Sequence, residues 1–157
     1  MNPVLNPVKF EDASEWTRLR YALWPEADPP HETEVQAWLE DPPAEQAVFV
    51  IELGDLPGEQ LGGFLETRIR NCAEGCDTDR VGFIEGWYVI PELRGQGWGR
   101  ALVLEAEKWA RGQGCTEMAS DTELHNHDSQ AAHVALGYTE TERLVCFRKS
   151  LRSADQA

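Results

Sequence analysis

The sequence predicts one mixed α/β domain with a central mixed sheet, and three observations predict it. The chain has 157 residues, 41% of them apolar, which suits one domain with one sizeable core. Its apolar spacing switches between helix-like and strand-like periods at short intervals. Proline and glycine punctuate nearly every switch, so the connections are short. The resulting order is two helices, an antiparallel meander, then strand–helix–strand–helix–strand, a pattern that places helices on the flanks of the sheet. The expected domain spans residues 1–157, with no internal repeat and no low-complexity linker.

"FEDASEWTRLRYALW" opens with Asp12 and Glu15 in capping-box spacing and carries Trp16, Leu19 and Leu23 on one helical face. Pro25, Pro29 and Pro30 break that helix, and "HETEVQAWLED" forms a second one with Val35, Trp38 and Leu39 inward. Pro42 and Pro43 end it. "AVFVIEL" and "LGGFLETRIR" read as a hairpin around the turn "GDLPGEQ", and "NCAEGCDTD" as a polar loop. "VGFIEGWYVI" is largely apolar, which predicts a central strand. From Gly97 to Arg111 the residues Leu102, Val103, Ala106, Trp109 and Ala110 make one stripe, with Glu107 and Arg111 paired i, i+4 on the wet side. Gly112 and Gly114 close this helix. "TEMASDT" is a short strand, "DSQAAHVAL" a short helix, and "YTETERLVCFRKSL" a final strand.

Composition narrows the function. The net charge is −14, from 28 acidic and 14 basic residues. That argues against a nucleic-acid partner, which needs clustered Lys and Arg. An acidic surface serves solubility, and it also attracts a cationic substrate. No apolar run is long enough to span a membrane and no secretory signal opens the chain, so a cytoplasmic location is expected. In that setting Cys72, Cys76, Cys115 and Cys146 are expected to be reduced thiols. The C-x3-C spacing of the first two matches no zinc pattern, and no metal is expected.

The most informative stretch is "YVIPELRGQGWGRALVLEAEKWA", where a strand passes through a glycine-rich turn into a helix. Gly95, Gly97 and Gly99 miss the dinucleotide G-x-G-x-x-G spacing, because Arg100 follows Gly99, and no Walker G-K-[ST] ending is present. What remains is R-x-x-G-x-G. Glycines there let successive backbone N–H groups converge, and the helix N-terminus adds its own unpaired N–H groups and positive dipole end. The pattern reads either as a pyrophosphate cradle, with Arg94 and Arg100 at its rim, or as a tight connection with no ligand.

A second signal is Glu85, a charge inside an apolar strand, where it is costly unless it is paired or used.

The strand ending in V-x-P, the R-G-x-G-x-G turn and the helix "RALVLEAE" together resemble motif A of the GCN5-related N-acetyltransferases, or GNAT enzymes. "LWPEADPPHETEVQAWL", "GFIEGWYVIPELRGQGWGRALV", "ASDTELHNHDSQAAHVALGY" and "TETERLVCFRKSL" resemble, in the same order, stretches of the aminoglycoside 6'-N-acetyltransferases. The resemblance implies a GNAT fold and the co-substrate acetyl-coenzyme A (acetyl-CoA). It implies that Arg94, Gly95, Gln96, Gly97, Trp98, Gly99 and Arg100 cradle the pyrophosphate. The backbone N–H groups of Trp87, Tyr88 and Val89 and the side chain of Asn126 would hold the pantetheine arm. One of those N–H groups would stabilise the thioester oxygen, worth roughly 3 kcal/mol if well aimed.

The implied reaction is direct transfer of acetyl to the 6'-amine of an aminoglycoside in a ternary complex, a route to antibiotic resistance. It gives the acidity a use, since these drugs are polycationic sugars. Trp24, Glu85, Asp121 and Glu142 match the acceptor site. Glu85 takes the amine proton directly or through water, and Asp121 shares that role or orients the cation. From the residues alone, Trp24 reads equally as a core residue ending the first helix, Glu142 as a solvated face residue and Asn126 as a loop residue. His133 stands where the superfamily usually has a tyrosine: either it protonates the leaving thiolate or, the preferred expectation, the thiolate leaves unassisted. No Cys sits in a nucleophile–base arrangement, which argues against a covalent enzyme intermediate. The resemblance also implies a homodimer paired through the last strand. The rival readings are another amine acceptor (a polyamine, an amino sugar or a protein amine) and a coenzyme A-binding module without turnover.

Overall fold

Five strands form one sheet in the order β1 (Val4–Pro7), β2 (Gln46–Glu52), β3 (Leu61–Arg70), β4 (Val81–Val89) and β5 (Glu117–Ser120). The first four run antiparallel to their neighbours, and β5 joins β4 in parallel. The structure is a computed structural model and describes residues 2–153. Met1 and residues 154–157, the two ends of the expected domain, lie outside the described residues.

Period-two alternation explains why β2 reads as a continuous apolar run. Val48 and Val50 face one side, where they pack with Trp16, Leu19, Val35 and Phe64 beneath helices α1 (Ala13–Leu23) and α2 (His31–Glu40). Phe49 and Ile51 face the other side, where they pack with Leu65, Ile84 and the buried stripe Leu102, Val103 and Ala106 of helix α3 (Trp98–Gly112). A sheet covered on both faces needs apolar residues at every position of a central strand. Phe64 and Leu65, neighbours on β3 with no exposed surface, anchor the two layers. Each contributes about 2 kcal/mol by burial.

Helix α4 (His127–Ala135) follows β5, and its cap is local: Asn126 Oδ1 accepts from the Ser129 N–H at 3.1 Å.

Three expectations need correction. The final strand expected over 138–151 is not paired: residues 139–153 are exposed and belong to no strand, and among the described residues β5 has β4 as its one sheet neighbour. An extended segment is a strand only where a partner meets its backbone, and none does so here among the described residues. The capping box expected of Asp12 and Glu15 does not form. Asp12 Oδ2 accepts from the Lys9 N–H at 2.8 Å, while Glu15 reaches β3, accepting from the Leu61 N–H at 2.9 Å and from Arg18 at 2.7 Å. Strand β1 was not expected, since it is short, flanked by prolines and at the edge of the sheet.

Candidate active site

Between α1, the loop to α2 and the ends of β3 and β4 lies a cleft of about 610 Å³. Five carboxylates line it (Glu26, Asp28, Glu34, Glu66 and Glu85), against two guanidinium groups, Arg20 and Arg68. Trp16, Trp24 and Trp38 supply its apolar walls. Charge and aromatic surface thus converge as recognition of a cationic sugar requires.

Trp24 is the C-cap residue of α1, and Pro25 prevents the helix from continuing. A Cβ on residue 86 would lie 2.4 Å from Trp24 Cη2, so the indole rests on the bare backbone of Gly86. Glu85 is the neighbouring residue, and the register explains its placement. Glu66 pairs with Gly86 and Thr67 with Ile84, which leaves Glu85 as the extra residue of a β-bulge. Bulges re-aim side chains in this way. Arg70 holds the Glu85 carboxylate with two bonds of 3.0 and 2.8 Å, and Arg68 adds a second cation at 3.8 Å. The paired arrangement removes the cost that a lone charge in this strand would carry.

Glu66 is a functional candidate that the sequence reading missed. It lies two residues from Phe64 on the same face of β3, where Trp16 Nε1 donates to it at 3.0 Å and Arg20 at 2.7 Å. Burial pushes its carboxyl up to about 7, against the pull of Arg20 and Trp16. Arg20 also bonds Glu34 and donates from Nε to His31 Nδ1 at 3.1 Å. A signal for both existed. Trp16, Arg20 and Trp24 are spaced i, i+4, i+8, placing Arg20 on the buried stripe of α1, and Glu66 sits on an apolar strand face as Glu85 does.

The other half of the site is a fork in the sheet. Strand β5 ends at Ser120, opposite Ile84, so the edge of β4 beyond Glu85 is open. Ile90 N–H donates to Gly62 O across β3 at 2.9 Å, and antiparallel bonding alternates along the pair. Tyr88 N–H therefore turns into the sheet, whereas those of Trp87 and Val89 point to the open edge. Of the three N–H groups expected to serve a ligand, Tyr88's is committed to β3.

At the end of this edge the glycine turn enters α3. Gly95 and Gly97 adopt φ of 74° and 89°, the left-handed region that glycine allows, and a Cβ on either would meet nothing within 4 Å. Gly97 is the N-cap of α3, so the free N–H groups of the first helical turn face open space. Gly99 is different: its Cβ would come 3.2 Å from the Trp87 ring. Trp87 Nε1 is buried there with no hydrogen-bond partner among the described residues. An open glycine cradle, a helix N-terminus, two edge N–H groups and an orphaned indole N–H together fit a long phosphate-bearing ligand laid along the fork.

Arg94, expected as a rim ion pair, donates instead to Val89 O at 2.8 Å and lies over the Tyr88 ring, while Arg100 is exposed at the rim. Gln96 donates to Glu92 O at 2.9 Å and pins the turn, and Trp98 packs against the α3-side core. Asn126 spends its carbonyl oxygen on the α4 cap, which leaves its Nδ2 donor for a ligand. Asp121 is exposed and follows Ser120 directly, which brings it level with Glu85 across the fork. Glu142 lies on the exposed arm and does not line the cleft.

His133 is half-buried, edge-on to Trp87 at 5.4 Å and to Tyr138 at 5.8 Å. Its Nδ1 donates to Ser129 O at 2.7 Å, so in the neutral ring Nε2 accepts from Ser120 Oγ at 2.8 Å. Tyr138 Oη donates to Glu107 at 2.8 Å, and burial together with that carboxylate raises the phenol well above its usual range. All four cysteines are free, and burial raises the thiols of Cys76 and Cys115, which weakens them as nucleophiles. The described residues contain no group of three or more His, Cys, Asp or Glu side chains placed to hold a metal ion, and no helix long and apolar enough to cross a membrane.

An acidic aromatic cleft meeting an open strand edge and a glycine turn defines a group-transfer enzyme with two substrates, one of them bound through phosphates. Residues 10–138 match the acetyltransferase (GNAT) family, and the chain belongs to that family. An aminoglycoside N(6')-acetyltransferase type 1 from Klebsiella aerogenes is 46% identical over 151 residues, covering 96% of this chain and 98% of its own length. Another from Stenotrophomonas maltophilia is 43% identical over 150 residues, covering 95% of this chain and 94% of its own. Among solved structures, AAC(6')-Iy in complex with the bisubstrate analogue CoA-S-monomethyl-acetylneamine superposes with a TM-score of 0.85 at 33% identity, covering 96% of this chain and 99% of its own.

Proposed function

We propose that this protein transfers the acetyl group of acetyl-CoA to the 6'-amine of an aminoglycoside, and that the whole chain acts as one acetyltransferase domain. The observation that carries this reading is the meeting of the acidic cleft with the open edge of β4 at a single residue, Glu85. Relatives of that named activity match nearly the full length of the chain, which supports the same acceptor.

Acetyl-CoA supplies an activated acetyl thioester. The N–H groups of Gly97 and the first turn of α3, with Arg100 at the rim, are the donors for its pyrophosphate. The Trp87 and Val89 N–H groups and Asn126 Nδ2 are those for its arm. In the cleft, Trp24 stacks on a sugar ring, and Glu26 and Asp28 hold its ammonium groups. The acceptor amine must shed a proton before it attacks, and Glu85 takes it directly or through one water, with Asp121 orienting the amine. Arg70 keeps Glu85 aimed during this step. The raised thiols support direct transfer with no acetyl-cysteine.

A homodimer belongs to this reading. The arm after α4 exposes Val145 (73%), Phe147 (93%) and Leu151 (91%), and among the described residues the outer edge of β5 is unpaired. Exposed apolar side chains and an open strand edge both favour pairing with a second copy. It would also give Glu142 a place against a neighbouring cleft. Free thiols and a supply of acetyl-CoA suit a cytoplasmic location.

The test is thiol release from acetyl-CoA with a panel of amines: kanamycin A, an analogue bearing a 6'-hydroxyl, spermidine and a lysine peptide. Release with the 6'-amine sugar alone, falling about 100-fold in Glu85→Gln, is the expected result. Release with spermidine or the peptide would overturn the acceptor. Coenzyme A binding without any release would overturn the enzyme.

A further inference from the structure

Four polar groups at the back of the cleft have no part in the chemistry above, yet they form one continuous chain. Glu66 on β3 accepts from Arg20 at 2.7 Å, Arg20 Nε donates to His31 Nδ1 at 3.1 Å, and His31 Nε2 meets the backbone oxygen of Trp24 at 2.9 Å. The direction of each bond is fixed by chemistry. A guanidinium only donates, so His31 Nδ1 is the acceptor and carries no proton. The ring proton is therefore on Nε2, which donates to the Trp24 carbonyl. His31 is 4% exposed, so both nitrogens are largely shielded from water.

That carbonyl is one of the orphan acceptors at the end of α1, since the Trp24 N–H still closes onto Arg20 O at 2.7 Å but Pro25 stops the helix. Its partner comes from the first residue of another helix, α2, across a loop with three prolines. Arg20 acts a second time, its guanidinium lying 5.3 Å from the centroid of the Trp24 ring. Backbone and ring of the same tryptophan are thus held from one source. Gly86 closes the opposite side, where any Cβ would strike the indole.

We infer that Arg20 and His31 are positioning residues that clamp Trp24 at a fixed angle over Gly86 beside Glu85. The consequence for catalysis rests on the acceptor reading above. A stacking surface contributes to affinity in proportion to how little of its freedom remains to be lost on binding. With the clamp broken, Trp24 must be ordered by the acceptor itself, and a weakening of roughly tenfold follows from that ordering and the lost bond.

The test compares His31→Leu, which fills the site without hydrogen bonds, with His31→Gln, whose amide can accept from Arg20 and donate to the Trp24 carbonyl. Two readouts are taken on the full-length protein. The first needs no ligand: fluorine NMR of 5-fluorotryptophan-labelled protein, with the Trp24 line assigned by Trp24→Phe. The second is the KM for kanamycin A against the KM for acetyl-CoA.

The clamp predicts one narrow Trp24 line in the parent and in His31→Gln, and a broadened or split line in His31→Leu. The KM for kanamycin A rises about tenfold in His31→Leu and returns to within about twofold in His31→Gln, with the KM for acetyl-CoA unchanged throughout. An unchanged Trp24 line in His31→Leu, equal damage in both variants, or a parallel rise in the KM for acetyl-CoA overturns it. If His31→Leu does not fold, Arg20→Lys is read the same way, since it keeps a cation beside Glu66 and loses the bond to His31. A parent enzyme that turns over no amine would defeat the proposed function, while the fluorine line would still report on the clamp.

Discussion

Replacing Glu66 by Gln should make the protein's stability less dependent on pH, by an amount set by the site. In the folded chain this carboxyl is raised from the usual 4.5 to about 7, chiefly because burial disfavours its charged form. A raised acid holds its proton more tightly when folded, so its contribution is fully present below pH 4.5 and is lost as pH rises through 7. Over the whole window a shift of this size is worth about 3 kcal/mol, of which about 2.5 kcal/mol falls between pH 5 and 8. Gln has no charge to bury and keeps an oxygen for Trp16 Nε1 and Arg20. Urea unfolding of parent and Glu66→Gln at pH 5, 6, 7 and 8 therefore isolates the effect, because every other titrating group cancels in the difference. The Gln variant should gain on the parent by about 2.5 kcal/mol across that range. A flat difference would mean that the carboxyl does not titrate there. That is the result expected if Arg20, at 2.7 Å, outweighs burial and holds the carboxyl below 4.5.

Three further outcomes are expected. Gly86→Ala places a methyl 2.4 Å from Trp24 Cη2, so the indole must swing away: the KM for the aminoglycoside rises at least threefold while acetyl-CoA affinity, read by calorimetry, does not change. Gly97→Ala meets no neighbour but forces a φ of 89° on a residue with a Cβ, which costs about 1 kcal/mol in thermal or urea unfolding and weakens coenzyme A binding by tilting the cradle N–H groups. Truncation after Arg143 removes Val145, Phe147 and Leu151 from the arm, and sedimentation should then report a monomer where the full chain reports a dimer.

What the sequence disclosed and what it withheld divide along a physical line. The elements of the two-layered core were legible because apolar spacing is a local property, and β3 was read at its exact bounds from "LGGFLETRIR". The glycine turn was legible for the same reason, since left-handed φ at Gly95 and Gly97 leaves its mark in the residue type itself. Glu85 stood out as a charge among apolar neighbours, yet the bulge that aims it was not foreseen, because it belongs to the register between β3 and β4. The arm after α4 failed for a related reason: "RLVCFRKSL" has a strand's composition, but pairing is a relation between two segments, and composition describes only one of them.

The clamp behind Trp24 is the furthest case, with Glu66, Arg20 and His31 drawn from three different elements and each unremarkable where it stands in the sequence. Their meaning lies in hydrogen-bond direction. Arg20 can only donate, which settles the His31 tautomer, and the tautomer in turn makes Nε2 the donor to the Trp24 carbonyl. Charge follows the same logic. A net −14 spread over a surface says little, but five carboxylates facing one cleft, two of them tied to Arg20 and one to Arg70, leave Glu26 and Asp28 free to meet a cation. Binding strength and aim are thus carried by different acids: unpaired ones attract the acceptor, and paired ones hold the groups that orient it.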